Sequence, residues 1–144
     1  ASDVYKRQAE YTADYLASTI SGTKAAVNAL SKLLLSQCIT VPIQRHALTG
    51  SKESIFEKIN EYLATVPERE LERIKRVNTL EGARIDVTHP PTVHRIEYLS
   101  KHEIRDPKIV LSESNAENIQ LELQYFEAQV QKKLTDAYVS GLYS

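Results

Sequence analysis

Apolar residues recur every three or four positions along most of this chain, which is the period of α-helices that bury one face. Only four glycines and five prolines interrupt the pattern, so we expect long helices joined by few turns. The approximate extents of the predicted helices are 10–19, 24–37, 52–64, a helix opened by the capping box at 65–68, 91–101 and 115–140. The pattern predicts an all-α fold, an irregular helical bundle with a long C-terminal helix.

Three segments between these helices are predicted to be irregular. Residues 38–50 contain Pro42 and end at Gly50, both of which disfavour regular structure. Residues 83–87 form a loop or a short extended piece, and residues 107–111 form a connector.

The breaks suggest three divisions of the chain. Residues 1–8 show no helical stripe and resemble translated adapter sequence, so we expect the natural sequence to start near Ala9. Residues 9–106 form the main body. Residues 107–144 carry the long amphipathic helix.

That last helix has the clearest apolar stripe, and it leaves two interpretations open. Its stripe consists of Ile119, Leu123, Phe126, Val130 and Leu134. The simpler interpretation is a helix that packs on the rest of its own domain. The alternative is an oligomerisation helix, or a small helical-bundle adaptor that binds a partner through residues 115–142.

The composition excludes more classes of function than classes of fold. The chain has 144 residues, 42% hydrophobic and 26% charged, which suits one soluble globular domain. The net charge of -1 gives no field that attracts nucleic acid. The single cysteine, Cys38, allows no disulfide within the chain and no cysteine-based zinc site. We expect no membrane-spanning segment, because polar residues and Pro42 interrupt the most apolar stretch.

Two acidic residues near the chain start are the first candidates for chemistry. Glu10 and Asp14 are four positions apart, so on a helix they lie on one face about one turn from each other. Such a pair is usually a solvated helix face. The same geometry also suits a zinc site, in which Glu10 binds the metal and Asp14 orients a histidine ligand.

The four histidines do not form a metal site by themselves. A helical zinc peptidase needs H-E-x-x-H, and the chain does not contain it. The nearest imitation begins at His102 and places Asp106 where the second histidine belongs. Pro107 follows directly and ends any helix there. We expect His46, in the irregular segment, to be a surface residue.

Two short motifs resemble the HtpX-like and CaaX-prenyl-protease-like zinc metallopeptidases. The first resembles the family signature E-x-x-A-D…A and consists of Glu10-Tyr11-Thr12-Ala13-Asp14 with Ala17. The second resembles S/T-H-P-P-x-x-x-R-I…L and consists of Thr88-His89-Pro90-Pro91-Thr92 with Arg95, Ile96 and Leu99. The order of the motifs and the alanine-rich helix between them also match. The resemblance covers residues 9–102.

The resemblance implies the C-terminal part of a zincin-type (gluzincin) peptidase domain that hydrolyses polypeptide substrates. It implies that Glu10 is the third zinc ligand and that Asp14 supports the histidine ligands. His89 would stabilise the oxyanion and Arg95 would order the site by hydrogen bonds. For His89, an N-terminal cap or a buried packing residue is an equally good interpretation.

The family's H-E-x-x-H and its N-terminal membrane helices would lie upstream of Glu10. We therefore expect a soluble fragment of a membrane-anchored parent. Without the missing N-terminal half, two zinc ligands and the general base are absent. We expect the chain alone to bind zinc weakly and to be inactive.

The resemblance leads to two expectations about the structure. The side chains of Glu10 and His89 should lie within ~15 Å of each other, the size of a substrate pocket. The apolar side of the first helix should be exposed, because the H-E-x-x-H helix that covers it in the parent is absent. That side consists of Ala13, Leu16, Ala17 and Ile20.

Overall fold

A computed structural model describes residues 2–82 and 89–142, so the predicted loop at 83–87 lies outside the described residues. The described residues form α-helices and one short 3-10 helix, and no strand occurs among them. The elements are α1 Ser2–Ser21, α2 Thr23–Leu34, the 3-10 helix Leu35–Ile39, α3 Thr40–Thr49, α4 Ile55–Ala64, α5 Glu68–Gly82, α6 Thr92–Lys101 and α7 Glu113–Leu142. The predicted all-α fold, an irregular helical bundle with a long C-terminal helix, is confirmed.

The helices group into two compact units. The first unit contains α1, α2, α5 and α6, and its core side chains Leu30, Ile74 and Leu99 come from three of them. The second unit contains α3, α4 and α7, with the fully buried Ile55 in its core. The divisions proposed from the sequence at 8/9 and 106/107 stay predictions.

The turn between α1 and α2 is closed by the chain that follows α6. The Thr23 amide donates to the Arg105 carbonyl, and the Thr23 hydroxyl accepts from the Arg105 amide, each at 3.0 Å. The Lys108 amide donates to the Ile20 carbonyl at 2.9 Å, which satisfies a carbonyl in the last turn of α1. The end of α1 is therefore fixed to the segment after α6.

A side chain from α5 caps the start of α6. Its N-cap residue, Pro91, makes no side-chain capping bond. The Asn78 carboxamide oxygen instead accepts from the Val93 amide at 3.1 Å. The predicted helix start at Pro91 agrees with the structure, and the α6 stripe buries Leu99.

The predicted irregular segment at 38–50 is wrong, because most of it is the helix α3. Pro42 is the third residue of this helix, where its missing N–H has no partner to lose in the helix. Gly50 stops the helix in a left-handed conformation with φ 59°. The prediction that His46 is a surface residue is also wrong. Its ring is buried in α3, and Nδ1 has no hydrogen-bond partner within the described residues.

Two helices in the second unit start at different caps from those predicted. The α4 helix begins after Ser54, whose hydroxyl accepts from the Glu57 amide, rather than after Ser51. The α7 helix begins near Ser112, whose hydroxyl accepts from the Asn115 amide. Serine can cap from several neighbouring positions, so sequence alone leaves such a start uncertain by a few residues.

The α1 helix has its polar side inside and its apolar side outside. It begins at Ser2, eight positions before the predicted start at residue 10. Asp14 and Ser18 are buried, whereas Leu16 and Ile20 keep 56% and 50% of their surface exposed. Ala13 and Ala17 are exposed as well. The expected exposure of this apolar side is confirmed.

One helical stretch among the described residues, Thr23–Thr49, is long and apolar enough to cross a membrane by length and composition. The expectation that polar residues exclude such a stretch is too strict, because the stretch as a whole is apolar in spite of them. The core helix of a soluble protein can have the same length and composition.

Substituting Gly22 tests the corner between α1 and α2. Gly22 has φ 82°, and a Cβ added there would lie 2.9 Å from the Pro107 backbone nitrogen. We expect Gly22→Ala to reduce the free energy of unfolding by about 2 kcal/mol or more, measured by urea denaturation.

Gly50→Ala is the matched control for this experiment. Gly50 also has a positive φ, but no atom lies within 4 Å of an added Cβ. Gly50→Ala should therefore reduce the free energy of unfolding by about 1 kcal/mol, because only the positive φ disfavours alanine there. Equal losses in the two variants would show that the close approach to Pro107 does not constrain this corner.

Candidate active site

The two motifs identified in the sequence meet where α1 packs against α6. On α1, Glu10 and Asp14 lie one turn apart and face the other helix. His89 precedes α6, and Arg95 lies in its first turns. These four side chains form the acidic–basic cluster, a name used below for Glu10, Asp14, His89 and Arg95.

A two-point ion pair joins the helices at the centre of this cluster. Arg95 donates from Nε to Asp14 Oδ2 and from Nη2 to Asp14 Oδ1, both at 2.7 Å. The side chains are 17% and 10% exposed, so little water screens the pair. The hydrogen bond with Asp14 raises the pKa of Arg95 above its ordinary value, against the opposing effect of burial. This arginine is therefore permanently charged and fixed in orientation.

Glu10 lies at the edge of the same pair and contacts His89. Its Oε1 is 2.8 Å from His89 Nδ1, and its Oε2 is 3.4 Å from Arg95 Nη2. An ionised carboxylate only accepts hydrogen bonds, so Nδ1 carries the proton and donates. The His89 side chain is 72% exposed, whereas Glu10 is 28% exposed. The cluster therefore runs from a buried ion pair to an accessible imidazole.

Aromatic rings continue the same helix interface away from the cluster. Tyr11 contacts Tyr98 with ring centroids 5.0 Å apart, and Tyr98 contacts His102 at 4.1 Å. Burial raises the pKa of Tyr11, so its hydroxyl stays protonated at neutral pH. At the far end, the Arg105 guanidinium lies over the Tyr15 ring and donates to its hydroxyl at 2.6 Å. These contacts set the angle and register of α1 on α6.

The structure places the candidate residues as follows. The expected proximity of Glu10 and His89 is confirmed, because their side chains are in hydrogen-bond contact. His89 is neither the N-cap of α6 nor buried, so neither of its simpler interpretations agrees with the structure. Arg95 does order its surroundings by hydrogen bonds, and its partner is Asp14. The catalytic and metal-binding roles of the four residues stay predictions.

Sequence reasoning missed several contributors to this interface. It did not identify Asp14 as the partner of Arg95, nor the roles of Tyr98 and Asn78. A usable signal was present, because Arg95 and Tyr98 on α6 and the following His102 recur at helical spacing, as Tyr11 and Asp14 do on α1. Two helices with matching polar stripes can pack against each other through those stripes. A pattern that assigns every polar residue to the surface does not anticipate this kind of packing.

The described residues do not complete a metal site. No group of three or more His, Cys, Asp or Glu side chains lies close enough among them to hold an ion. A catalytic zinc takes three protein ligands, and this cluster offers only the Glu10 carboxylate beside His89. The positive charge of Arg95 next to Glu10 also disfavours a cation unless further anionic or neutral ligands are added.

Comparison with known proteins gives one family match. A family model described as peptidase family M48 matches residues 1–103, which include α1, α2, α6 and the whole cluster. No curated protein and no solved structure matches the chain.

Breaking the ion pair tests whether it fixes α1 to α6. Arg95→Leu should lower the free energy of unfolding by about 3 kcal/mol, because Asp14 is left buried without its partner. Asp14→Leu/Arg95→Leu should recover at least half of that loss, since no buried charge remains. Urea denaturation followed by circular dichroism measures both.

Lys101→Ala serves as the control. The pair between Lys101 and Glu97 is largely exposed, so its loss should change stability by less than about 0.5 kcal/mol. If the double variant loses as much stability as Arg95→Leu and Asp14→Leu together, the two side chains are not coupled and the ion pair does not fix α1 to α6.

Proposed function

Since the chain belongs to peptidase family M48, we propose that its first unit is the C-terminal part of a zinc-dependent metalloendopeptidase domain. In this proposal the complete domain hydrolyses peptide bonds of polypeptide substrates. The observation that carries it is the contact between Glu10 and His89, which are 79 positions apart in the chain. In an arbitrary helical bundle, two motifs so far apart in sequence would not be expected to come into contact. Here both motifs contribute side chains to the same accessible cluster.

Glu10 is the metal-ligating residue in this proposal. Its carboxylate lies at the accessible edge of the cluster, and the helix that carries it is fixed by the adjacent ion pair. The remaining ligands come from outside this chain, from an H-E-x-x-H helix packed beside α1. Additional neutral or anionic ligands would compensate for the charge of Arg95 near Glu10.

Asp14 and Arg95 act as positioning residues. The two-point geometry of their pair fixes the rotation of α1, because a guanidinium and a carboxylate bond well only when nearly coplanar. Each Asp14 oxygen retains a second lone pair, so Asp14 can also accept from a histidine N–H. The pair therefore supports both Glu10 and a neighbouring ligand.

His89 is the residue proposed to contact the substrate. Its Nδ1 donates to Glu10, which directs Nε2 away from the carboxylate along an exposed ring. A neutral ring with its proton on Nδ1 presents only an acceptor at Nε2. His89 therefore donates to a substrate oxyanion only when both ring nitrogens carry a proton.

The exposed side of α1 supports the proposal that another part of the domain belongs there. Leu16 and Ile20 lie outward from the same helix that presents Glu10. A helix packed on them would be held directly beside the cluster. We propose that this place is taken by the missing N-terminal half of the parent domain, which carries H-E-x-x-H and anchors the parent in a membrane.

A helical-bundle adaptor remains the second candidate. The observation in its favour is the apolar side of α7, where Leu123 and Phe126 are 56% and 51% exposed. The two functions are compatible, because the cluster and α7 belong to different units.

The 144-residue chain alone should cleave no casein, with or without added zinc, because it lacks the general base and two ligands. Calorimetry should show only weak zinc binding, since one carboxylate and one histidine do not make a zinc site. Zinc-dependent cleavage, or a tight equimolar complex, would contradict the proposal.

The complete protein, expressed from its full gene, should contain an in-frame H-E-x-x-H and cleave casein. In it, Glu10→Gln should lower kcat/KM by at least about 100-fold, and Asp14→Asn by about 10–100-fold. Glu117→Gln, an exposed change on α7, is the matched control and should have no effect. Full activity in Glu10→Gln would remove this residue from the site.

A further inference from the structure

The N-terminal half of α7 is a helix surface that its own unit does not cover. Every residue from Glu113 to Phe126 is exposed. The helix is held to the rest of its unit through its C-terminal half, where the Gln131 side chain accepts from the Ile55 amide at 2.9 Å. We propose that this exposed half binds a basic amphipathic helix of a partner protein.

The apolar part of this surface has the spacing of a helix-docking seam. Ile119, Leu123, Phe126 and Val130 follow one another at intervals of four, three and four residues, with 45%, 56%, 51% and 40% of their surface exposed. That spacing places them on one stripe along the helix. We call these four residues the α7 seam. A helix with a similar stripe can pack along it by helix-in-groove recognition.

Charge decides which kind of helix fits. Four glutamates, Glu113, Glu117, Glu122 and Glu127, lie between Lys108 and Lys132, and no lysine or arginine lies between those two lysines. Glu113 lies in the first turn of the helix, where an acidic residue stabilises the macrodipole without any partner. That explanation does not reach Glu122 and Glu127, because the macrodipole effect is confined to the first turn.

These two glutamates border the α7 seam. At 100° per residue, Glu122 lies on one side of the stripe and Glu127 lies on the other. Acidic residues on both borders favour a partner helix whose own borders are basic. A second copy of α7 would bring glutamate against glutamate, and an anionic membrane surface would repel both, so neither is favoured.

This surface lies outside the part of the chain that matches the peptidase family, which ends at residue 103. The inference therefore does not depend on the proposed peptidase function, and failure of one leaves the other standing.

The test uses the full chain and two synthetic helical peptides of roughly 20 residues, long enough to hold several turns. Both carry leucines at alternating spacings of three and four. One has lysines on both borders of that stripe, and the other has glutamates there. Fluorescence anisotropy should show at least about tenfold tighter binding of the lysine peptide at low salt, with the difference shrinking as salt is raised.

Matched variants locate the interaction. Leu123→Gln/Phe126→Gln should weaken binding of the lysine peptide by at least about tenfold. Leu121→Gln/Tyr125→Gln should leave it unchanged, because these residues are even more exposed but lie off the seam. Glu122→Lys/Glu127→Lys should reverse the preference between the two peptides. All these positions lie on the part of α7 that its own unit leaves largely uncovered. Circular dichroism checks that each variant stays helical.

Several outcomes would overturn the proposal. Equal affinity for both peptides would show unspecific apolar binding, and no binding of either would show that the seam has no helical partner of this kind. A dimer that sedimentation detects, and that Leu123→Gln/Phe126→Gln dissociates, would assign the seam to a second copy of the chain.

Discussion

The buried pair between Asp14 and Arg95 holds the first unit in the arrangement on which everything else about the cluster depends. Its two short hydrogen bonds join α1 to α6. The rings of Tyr11 and Tyr98 pack beside it and fix the same register. Because the pair is largely removed from water, separating it would leave a charge without compensation. The contact between Glu10 and His89 follows from that register, since both residues are carried by the elements that the pair joins.

This pair also explains why α1 has its polar side inside. A helix normally buries its apolar stripe, but here Asp14 and Ser18 are buried, Asp14 contacts α6, and Leu16 and Ile20 remain outside. Both sides of α1 are therefore suited to packing, one by charge and one by apolar area. The described residues cover the polar side and leave the apolar side exposed.

Helical periodicity predicted the all-α fold because stripes such as the one ending in Leu99 bury their apolar side in the expected way. It failed at α3, where Pro42 looked like a breaker but sits in the first turn, which tolerates proline. It also misplaced the start of α4, because several serines before Ile55 are competent caps. Periodicity indicates which face of a helix is apolar. It does not indicate how loops and first helical turns satisfy the hydrogen bonds of their backbone N–H and C=O groups.

For the cluster, the sequence supplied the residues but not their pairing. Glu10, Asp14, His89 and Arg95 were recognisable from two short motifs, and their proximity followed from the resemblance. That Arg95 would bond to Asp14 with both nitrogens could not be predicted, because it depends on the rotation and crossing of two helices. Those quantities depend on how the whole interface packs, including the contact between the Tyr11 and Tyr98 rings, and the spacing of residues along one helix does not determine them.

We propose that Glu10 is a metal ligand held in place by the packing of α1 on α6. The most direct measurement is a crystal structure of the complete protein with zinc, using anomalous scattering to locate the ion. We expect a zinc ion about 2.0–2.2 Å from a carboxylate oxygen of Glu10, and an intact ion pair between Asp14 and Arg95. A zinc ion coordinated without Glu10, or a zinc site remote from α1, would contradict it.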